Sequence, residues 1–222
     1  EEEQTMSQYF TYWQEDMPES KIMAALGNSA APYKQYAANY IESNKYKSVL
    51  DCGGGIFNLY DLIIENNTSI KYVGTEITKK FVEMGKQKNL ETYQCSANSM
   101  PVPDNYCEVV ICLAVLNHQF EFKDTINELL RVAEKEVVIS FFKPFVESDE
   151  ASQEIEKNVN RFPILSNDKD IGTTIQRHTK FVYTFFSKKA IEQFLDKLKV
   201  KYVFHTLEDK TVMLHILKNM EE

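Results

Sequence analysis

The chain predicts an α/β domain built on a parallel sheet with helices on both faces. Two features carry that expectation. From Lys47 onward, short apolar runs alternate with amphipathic ones, the pattern of repeated strand–helix units. Glu108–Ala114 (E-V-V-I-C-L-A) and Glu136–Phe142 (E-V-V-I-S-F-F) are near-continuous apolar runs, as expected of central strands buried on both sides.

The elements follow in order. Residues 1–20 carry Tyr9, Phe10, Tyr12, Trp13 and Pro18 and read as an aromatic-rich helical segment; helical pieces broken at Gly27 and Pro32 then run to Tyr40. Ser48–Asp51 is the first strand and Leu59–Glu65 a helix. Ile70–Glu76 is a second strand, and Thr78–Asn89 a helix with Thr78 as its cap. Strands over Thr92–Ser96 and Glu108–Ala114, a helix over Phe122–Ala133 and a strand over Glu136–Phe142 complete the regular part. Residues 143–180, polar with Pro144, Pro163 and Gly172, read as an insertion. A helix over Ser187–Leu198 then leads to strands Val200–His205 and Thr211–Leu217. The Glu208-Asp209-Lys210 turn makes these an antiparallel pair. The expected organisation is an N-terminal helical segment over 1–46 and an α/β domain over 47–222 with an insertion at about 143–180.

Composition excludes several classes. A length of 222 residues with 43% hydrophobic content supports one large domain. A formal charge of −8 disfavours nucleic acid, because phosphate backbones are repelled. No apolar run is long enough to span a bilayer, and no signal peptide is recognised, so no membrane association is expected. Cys52, Cys95, Cys107 and Cys112 form no C-x-x-C pair and have no histidine at finger-like spacing, so no metal is expected. Reduced, buried cysteines suit a cytoplasmic location.

Chemistry concentrates at Ser48–Asn58, S-V-L-D-C-G-G-G-I-F-N. A strand ends in Asp51, and Gly53, Gly54 and Gly55 follow directly. Glycine there permits a left-handed turn and a close approach of backbone to a ligand.

In these residues the chain resembles the class I S-adenosylmethionine-dependent methyltransferases, type 11-like, over roughly Lys47–Leu217. That resemblance implies a Rossmann-like seven-stranded sheet, mostly parallel with an antiparallel C-terminal hairpin. Four segments carry it. Val49–Gly55 is similar to the family's loop around the methionine part of the cofactor, with Asp51, Gly53, Gly54 and Gly55 as contacts. Phe57 departs from the small residue often found at its place. Glu76, 21 positions beyond Gly55, resembles the acid that accepts the ribose hydroxyls, with Ile77 beside it. Gln94–Val102 resembles the segment around the adenine, which gives Ser96 (where the family has Asp), Ala97 and Asn98. Pro103–His118 is similar to the strand whose end, at Leu113 and Ala114, lines the sulfonium, with Asn117 and His118 at the mouth.

The resemblance implies S-adenosyl-L-methionine as cofactor, S-adenosyl-L-homocysteine as product, and a small-molecule methyl acceptor taking the group on O or N. His118 is the first candidate for a general base and His178, in the insertion, the second. Tyr12 and Trp13 would cover the cofactor as part of a lid. Arg161 and Arg177 could bind an acidic acceptor. A homodimer is compatible with this picture. Two other readings stay open: a cofactor-binding subunit without turnover, and a protein or nucleic-acid methyltransferase. The strand end Ile111-Cys112-Leu113-Ala114 lacks the N/D-P-P-Y/F turn and the P-C pair of DNA-methylating enzymes.

Overall fold

The structure is a computed structural model, and it describes residues 29–65, 68–141, 164–168, 173–178 and 181–218. Among these residues the elements are α1 (Pro32–Ser43), β1 (Ser48–Cys52), α2 (Asn58–Ile64), β2 (Lys71–Glu76), α3 (Lys79–Gln87), β3 (Glu91–Gln94), β4 (Cys107–Leu113), a 3₁₀ turn (Leu116–His118), α4 (Lys123–Val132), β5 (Ala133–Phe141), β6 (Ile164–Asp168), β7 (Thr173–His178), β8 (Phe181–Phe186), α5 (Lys188–Leu198), β9 (Lys201–Thr206) and β10 (Val212–Leu217).

Seven strands form one sheet in the order β3-β2-β1-β4-β5-β10-β9. The first five are parallel, and β10 runs antiparallel to both β5 and β9. This is the expected arrangement, C-terminal hairpin included. Strand order reverses between β1 and β4, the switch point at which open α/β sheets bind ligands.

Alternation along the strands sends side chains to two cores. Leu50, Val110, Val137 and Leu214 meet Leu129 of α4 and Leu195 of α5 on one face. Val49, Val109, Val138 and Met213 meet Ala37 and Ile41 of α1 and Leu59 and Ile63 of α2 on the other. Pro32 opens α1, where its missing N–H and fixed φ suit a first helical turn. The sheet-facing stripe of α1 is Ala31, Lys34, Ala37, Ala38 and Ile41, spaced three and four apart.

A polar network pins the second half of α1 to the sheet. Glu136 of β5 accepts from the Tyr40 hydroxyl at 2.9 Å and from the Tyr46 hydroxyl. Its Oε1 lies 2.7 Å from Nδ1 of His215 in β10, whose Nε2 lies 2.9 Å from the Tyr36 hydroxyl. The Tyr40 and His215 rings pack edge to face, 4.4 Å between centroids.

Two local expectations need correction, and a third gains detail. The third strand ends at Gln94 rather than Ser96, because the chain turns there and Ser99 N–H donates to Ser96 O at 3.2 Å. Thr78 sits at the N-cap of α3, but its hydroxyl does not accept from the helix; it bonds the Glu76 carboxylate instead. The segment expected as a polar insertion contributes β6 and β7, which with β8 make a separate three-stranded antiparallel sheet. That sheet is tied into the main core through Phe186, which packs edge to face on Phe122 (5.5 Å) and Phe141 (6.2 Å).

Candidate functional site

The candidate site lies at the carboxyl ends of β1, β2 and β4. Gly53 begins the loop in the left-handed region (φ +70°), which a side chain rarely adopts. A Cβ on Gly53 would also lie 2.4 Å from Cγ2 of Val115, so this loop packs directly against the segment that follows β4.

The departure at Phe57 has a clear structural answer. Its ring is fully buried in a slot walled by glycines. A Cβ would come within 2.6 Å of the ring at Gly54, 2.3 Å at Gly74 in β2 and 2.7 Å at Gly85 in α3. The loop therefore keeps its close packing on the helix by opening space in three neighbouring segments. Phe57 itself sits at φ 56°, a strained conformation for an aromatic residue, held by that burial.

The loop amides bond inward. Gly53 N–H and Gly54 N–H donate to Thr75 O at 2.8 and 3.2 Å, and Gly55 N–H donates to Glu76 Oε2 at 3.0 Å. Glu76 Oε1 accepts from Ile77 N–H (2.7 Å) and Thr78 N–H (3.0 Å). What the loop offers a ligand is close approach rather than a nest of N–H donors. Burial raises the Glu76 carboxyl above its ordinary range, and the Thr78, Gly55 and Ile77 amides together with the Thr78 hydroxyl restrain the rise. A carboxylate has about four lone-pair positions. These bonds occupy them, so a diol reaches Glu76 only by exchange.

Asp51 is 3% exposed and accepts from the Tyr72 hydroxyl. Burial pushes its carboxyl up to about 6 from an ordinary 3.8. The Tyr72 hydrogen bond and the Lys34 ammonium pull it down, and the nearby Glu76 adds to the rise. Lys34 was not singled out by the sequence. It stands on the buried stripe of α1, 9% exposed, where burial lowers its pKa and Asp51 opposes that fall. Within a helix face that otherwise reads A-x-x-x-x-x-A-A-x-x-I, this lysine is the interruption that could have marked it.

The third edge of the site is the turn after β3. Ser96 and Ala97 are half-buried and Asn98 is exposed. Two residues of α4 that the sequence did not flag hold the chain just beyond them. Arg131 donates to Val102 O (2.9 Å), Met100 O (3.1 Å) and Asp104 (2.7 Å), while Glu128 accepts from Met100 N–H at 2.6 Å. A Glu followed by Arg three residues later on one helix face is the only sequence trace of this clasp.

Leu113 ends β4, half-buried. Ala114 then turns with φ 62°, and its N–H donates to Ser140 Oγ at 2.9 Å. That turn leads the chain into the 3₁₀ turn carrying Asn117 and His118. Asn117 is buried rather than at the mouth: its amide donates to Thr184 O of β8 at 3.0 Å, and the Thr184 hydroxyl bonds Gln119 O. His118 is half-buried beside this junction. His178 is the last residue of β7, pairing with Phe181 in the second sheet. Tyr12, Trp13 and Arg161 lie outside the described residues. His215 is a member of the α1 network. Among the described residues no cluster could hold a metal ion, and no helix is long and apolar enough to cross a membrane.

A family model described as "Methyltransferase domain" matches residues 43–206. The chain belongs to this family of S-adenosylmethionine-dependent class I methyltransferases. Among solved structures, the magnesium protoporphyrin IX methyltransferase of Synechocystis PCC 6803 with bound S-adenosylhomocysteine is similar at 14% identity and TM-score 0.63, covering 97% of this chain and 95% of that one. A protein of Pyrococcus horikoshii OT3 is similar at 14% identity and TM-score 0.63, over 94% of this chain and 96% of that one. The 1,6-didemethyltoxoflavin-N1-methyltransferase of Burkholderia thailandensis, with its acceptor and S-adenosylhomocysteine, is similar at 11% identity and TM-score 0.59, over 90% and 87%. No curated protein sequence matches the chain. The cofactor is S-adenosylmethionine. The site residues fit such a ligand: a glycine loop at the switch point of the sheet, two buried carboxylates beside it, and an apolar strand end at Leu113.

Proposed function

We propose that this methyltransferase transfers the methyl group to an oxygen or nitrogen of a small molecule in the cytoplasm. The observation that carries the reading is the pair of buried carboxylates, Asp51 and Glu76, flanking the glycine loop at the switch point of the sheet. When bound, the cofactor supplies a methyl group already activated on a sulfonium. The chain's residues bind, align and keep water out. Glu76 takes the ribose hydroxyls by exchanging bonds it now makes to the loop. Ser96, Ala97 and Asn98 face the adenine, and Leu113 the sulfonium side. His118 removes the proton of a hydroxyl or amine acceptor, with His178 as the other candidate.

A small acceptor rather than nucleic acid is supported by the charge of −8, which repels phosphate backbones. Two similar structures carry names of enzymes acting on small molecules. Four free cysteines fit a reducing compartment. The test is mass-spectrometric detection of methylated product from panels of phenols, amines, carboxylic acids, peptides and oligonucleotides. Methylation in the small-molecule panels is expected, and His118→Ala should slow it about 10²-fold without weakening cofactor binding. Methylation of peptides or oligonucleotides alone, or binding with no turnover on any panel, would overturn the reading. Unaltered turnover in His118→Ala would make that histidine structural.

A further inference from the structure

Three residues of this chain stand against local backbone preference, and all three converge on one ring. Phe57 carries an aromatic side chain at φ 56°. Gly74 lies inside β2 and Gly85 inside α3, where glycine weakens strand and helix alike. Local conflicts that the surrounding structure over-determines cluster at functional sites. The three atoms nearest a Cβ at Gly74 all belong to Phe57, with Cε1 at 2.3 Å and Cδ1 and Cζ at 2.9 Å. The same ring edge lies 2.6 Å from a Cβ at Gly54, so it fills the gap between β2 and the glycine loop. The other edge, Cε2 and Cδ2, faces Gly85.

The backbone of Phe57 is held as firmly as its ring. Its N–H donates to Gly54 O at 2.9 Å, closing the turn out of the loop. Its carbonyl accepts from Lys88 Nζ at 3.3 Å, and Lys88, at the C-cap of α3, also pairs with Asp61 of α2 at 2.6 Å. The entry to the loop is fixed by the Gly53 and Gly54 amides on Thr75 O, and the exit by Phe57.

We propose that Phe57 is a positioning residue for the cofactor: its ring sets where the Gly53–Gly55 backbone stands, and so how closely the ligand docks. Fully buried, it acts through Gly54 rather than on the ligand. This rests on the cofactor site assigned above. A loop already held in its binding geometry lowers the ordering cost of binding.

The experiment is calorimetric titration of S-adenosylhomocysteine into wild type, Phe57→Ala, Gly74→Ala, the double variant Phe57→Leu/Gly74→Ala and Leu195→Ala, well below each melting temperature. Phe57→Ala empties the slot, and Gly74→Ala drives a methyl into the ring; each should weaken binding at least about tenfold. In the double variant the shorter leucine makes room for the methyl, and affinity should return to within about threefold of wild type. Leu195→Ala truncates the core on the other face of the sheet and reads what lost stability alone does. It should melt earlier, with affinity changed by less than about twofold. Unchanged affinity in either Phe57→Ala or Gly74→Ala overturns the role of Phe57, as does an equal loss in Leu195→Ala or a double variant no better than Gly74→Ala. Failure of wild type to bind overturns the cofactor site itself. Melting curves without ligand show that each variant is folded, and Phe57→Leu alone replaces Phe57→Ala if that one is not.

Discussion

Asp51 and Glu136 lie on the same face of one sheet, under the same helix, and both are almost fully buried (3% and 1% exposed). Their surroundings treat them in opposite ways. Glu136 is met by His215, Tyr46 and Tyr40; burial alone would raise its pKa, but these donors outweigh it and hold the carboxyl below its ordinary value. Asp51 is met by one hydroxyl and one lysine, and burial wins, pushing it up to about 6. The difference teaches where ligand binding sits. A buried carboxylate whose side-chain donors outweigh the cost of burial is a structural joint. One left short of donors beside the glycine loop is a candidate ligand contact.

The comparison breaks most visibly at the joint. Glu136→Ala leaves the imidazole and two phenols of its partners without their acceptor, and should lower unfolding free energy by about 3–5 kcal/mol in denaturant titration. The wild-type contribution has a definite sign. Glu136 is depressed in the folded state, so its stabilisation is present above the ordinary carboxylate value and fades as pH falls through the folded one. A variant equally destabilised at pH 7 and at pH 2 would show that the carboxylate's charge is not what matters there.

Asp51 should behave in reverse. Its folded pKa is raised, so between 3.8 and about 6 the native state holds more protons and stability falls as pH rises. Asp51→Asn, which keeps an acceptor for Tyr72, should therefore be more stable than wild type at pH 7, by up to about 3 kcal/mol for a shift of this size. That gain should vanish near pH 3. The same variant should bind S-adenosylhomocysteine more weakly. A destabilised Asp51→Asn at neutral pH would erase the contrast with Glu136.

Much of the scaffold was legible from one-dimensional pattern. Apolar runs at Glu108–Ala114 and Glu136–Phe142 became central strands, and the Glu208–Lys210 turn set the hairpin, because strand burial and turn chemistry are local. The D-C-G-G-G loop was legible for the same reason. The packing of Phe57 was not, since its slot is assembled from Gly54, Gly74 and Gly85, which meet only in the folded chain. Gly74 in a strand and Gly85 in a helix are the faint signals, because glycine weakens both elements unless something needs the space. Lys34 was hidden as a single polar residue on an apolar stripe, and Arg131 because its carbonyl partners come from another loop. The strands β6 and β7 were masked by polar composition, which reads as loop when alternation is weak.

We propose that Glu76, beside the glycine loop, holds the ribose of the cofactor. It is tested most directly by titrating S-adenosylhomocysteine into wild type, Glu76→Ala and Glu76→Gln in a calorimeter, with melting curves confirming the fold. Micromolar binding by wild type is expected, weakened at least about tenfold in both variants, the loss of a hydrogen bond to a charged group. Wild-type affinity in both variants would contradict the account.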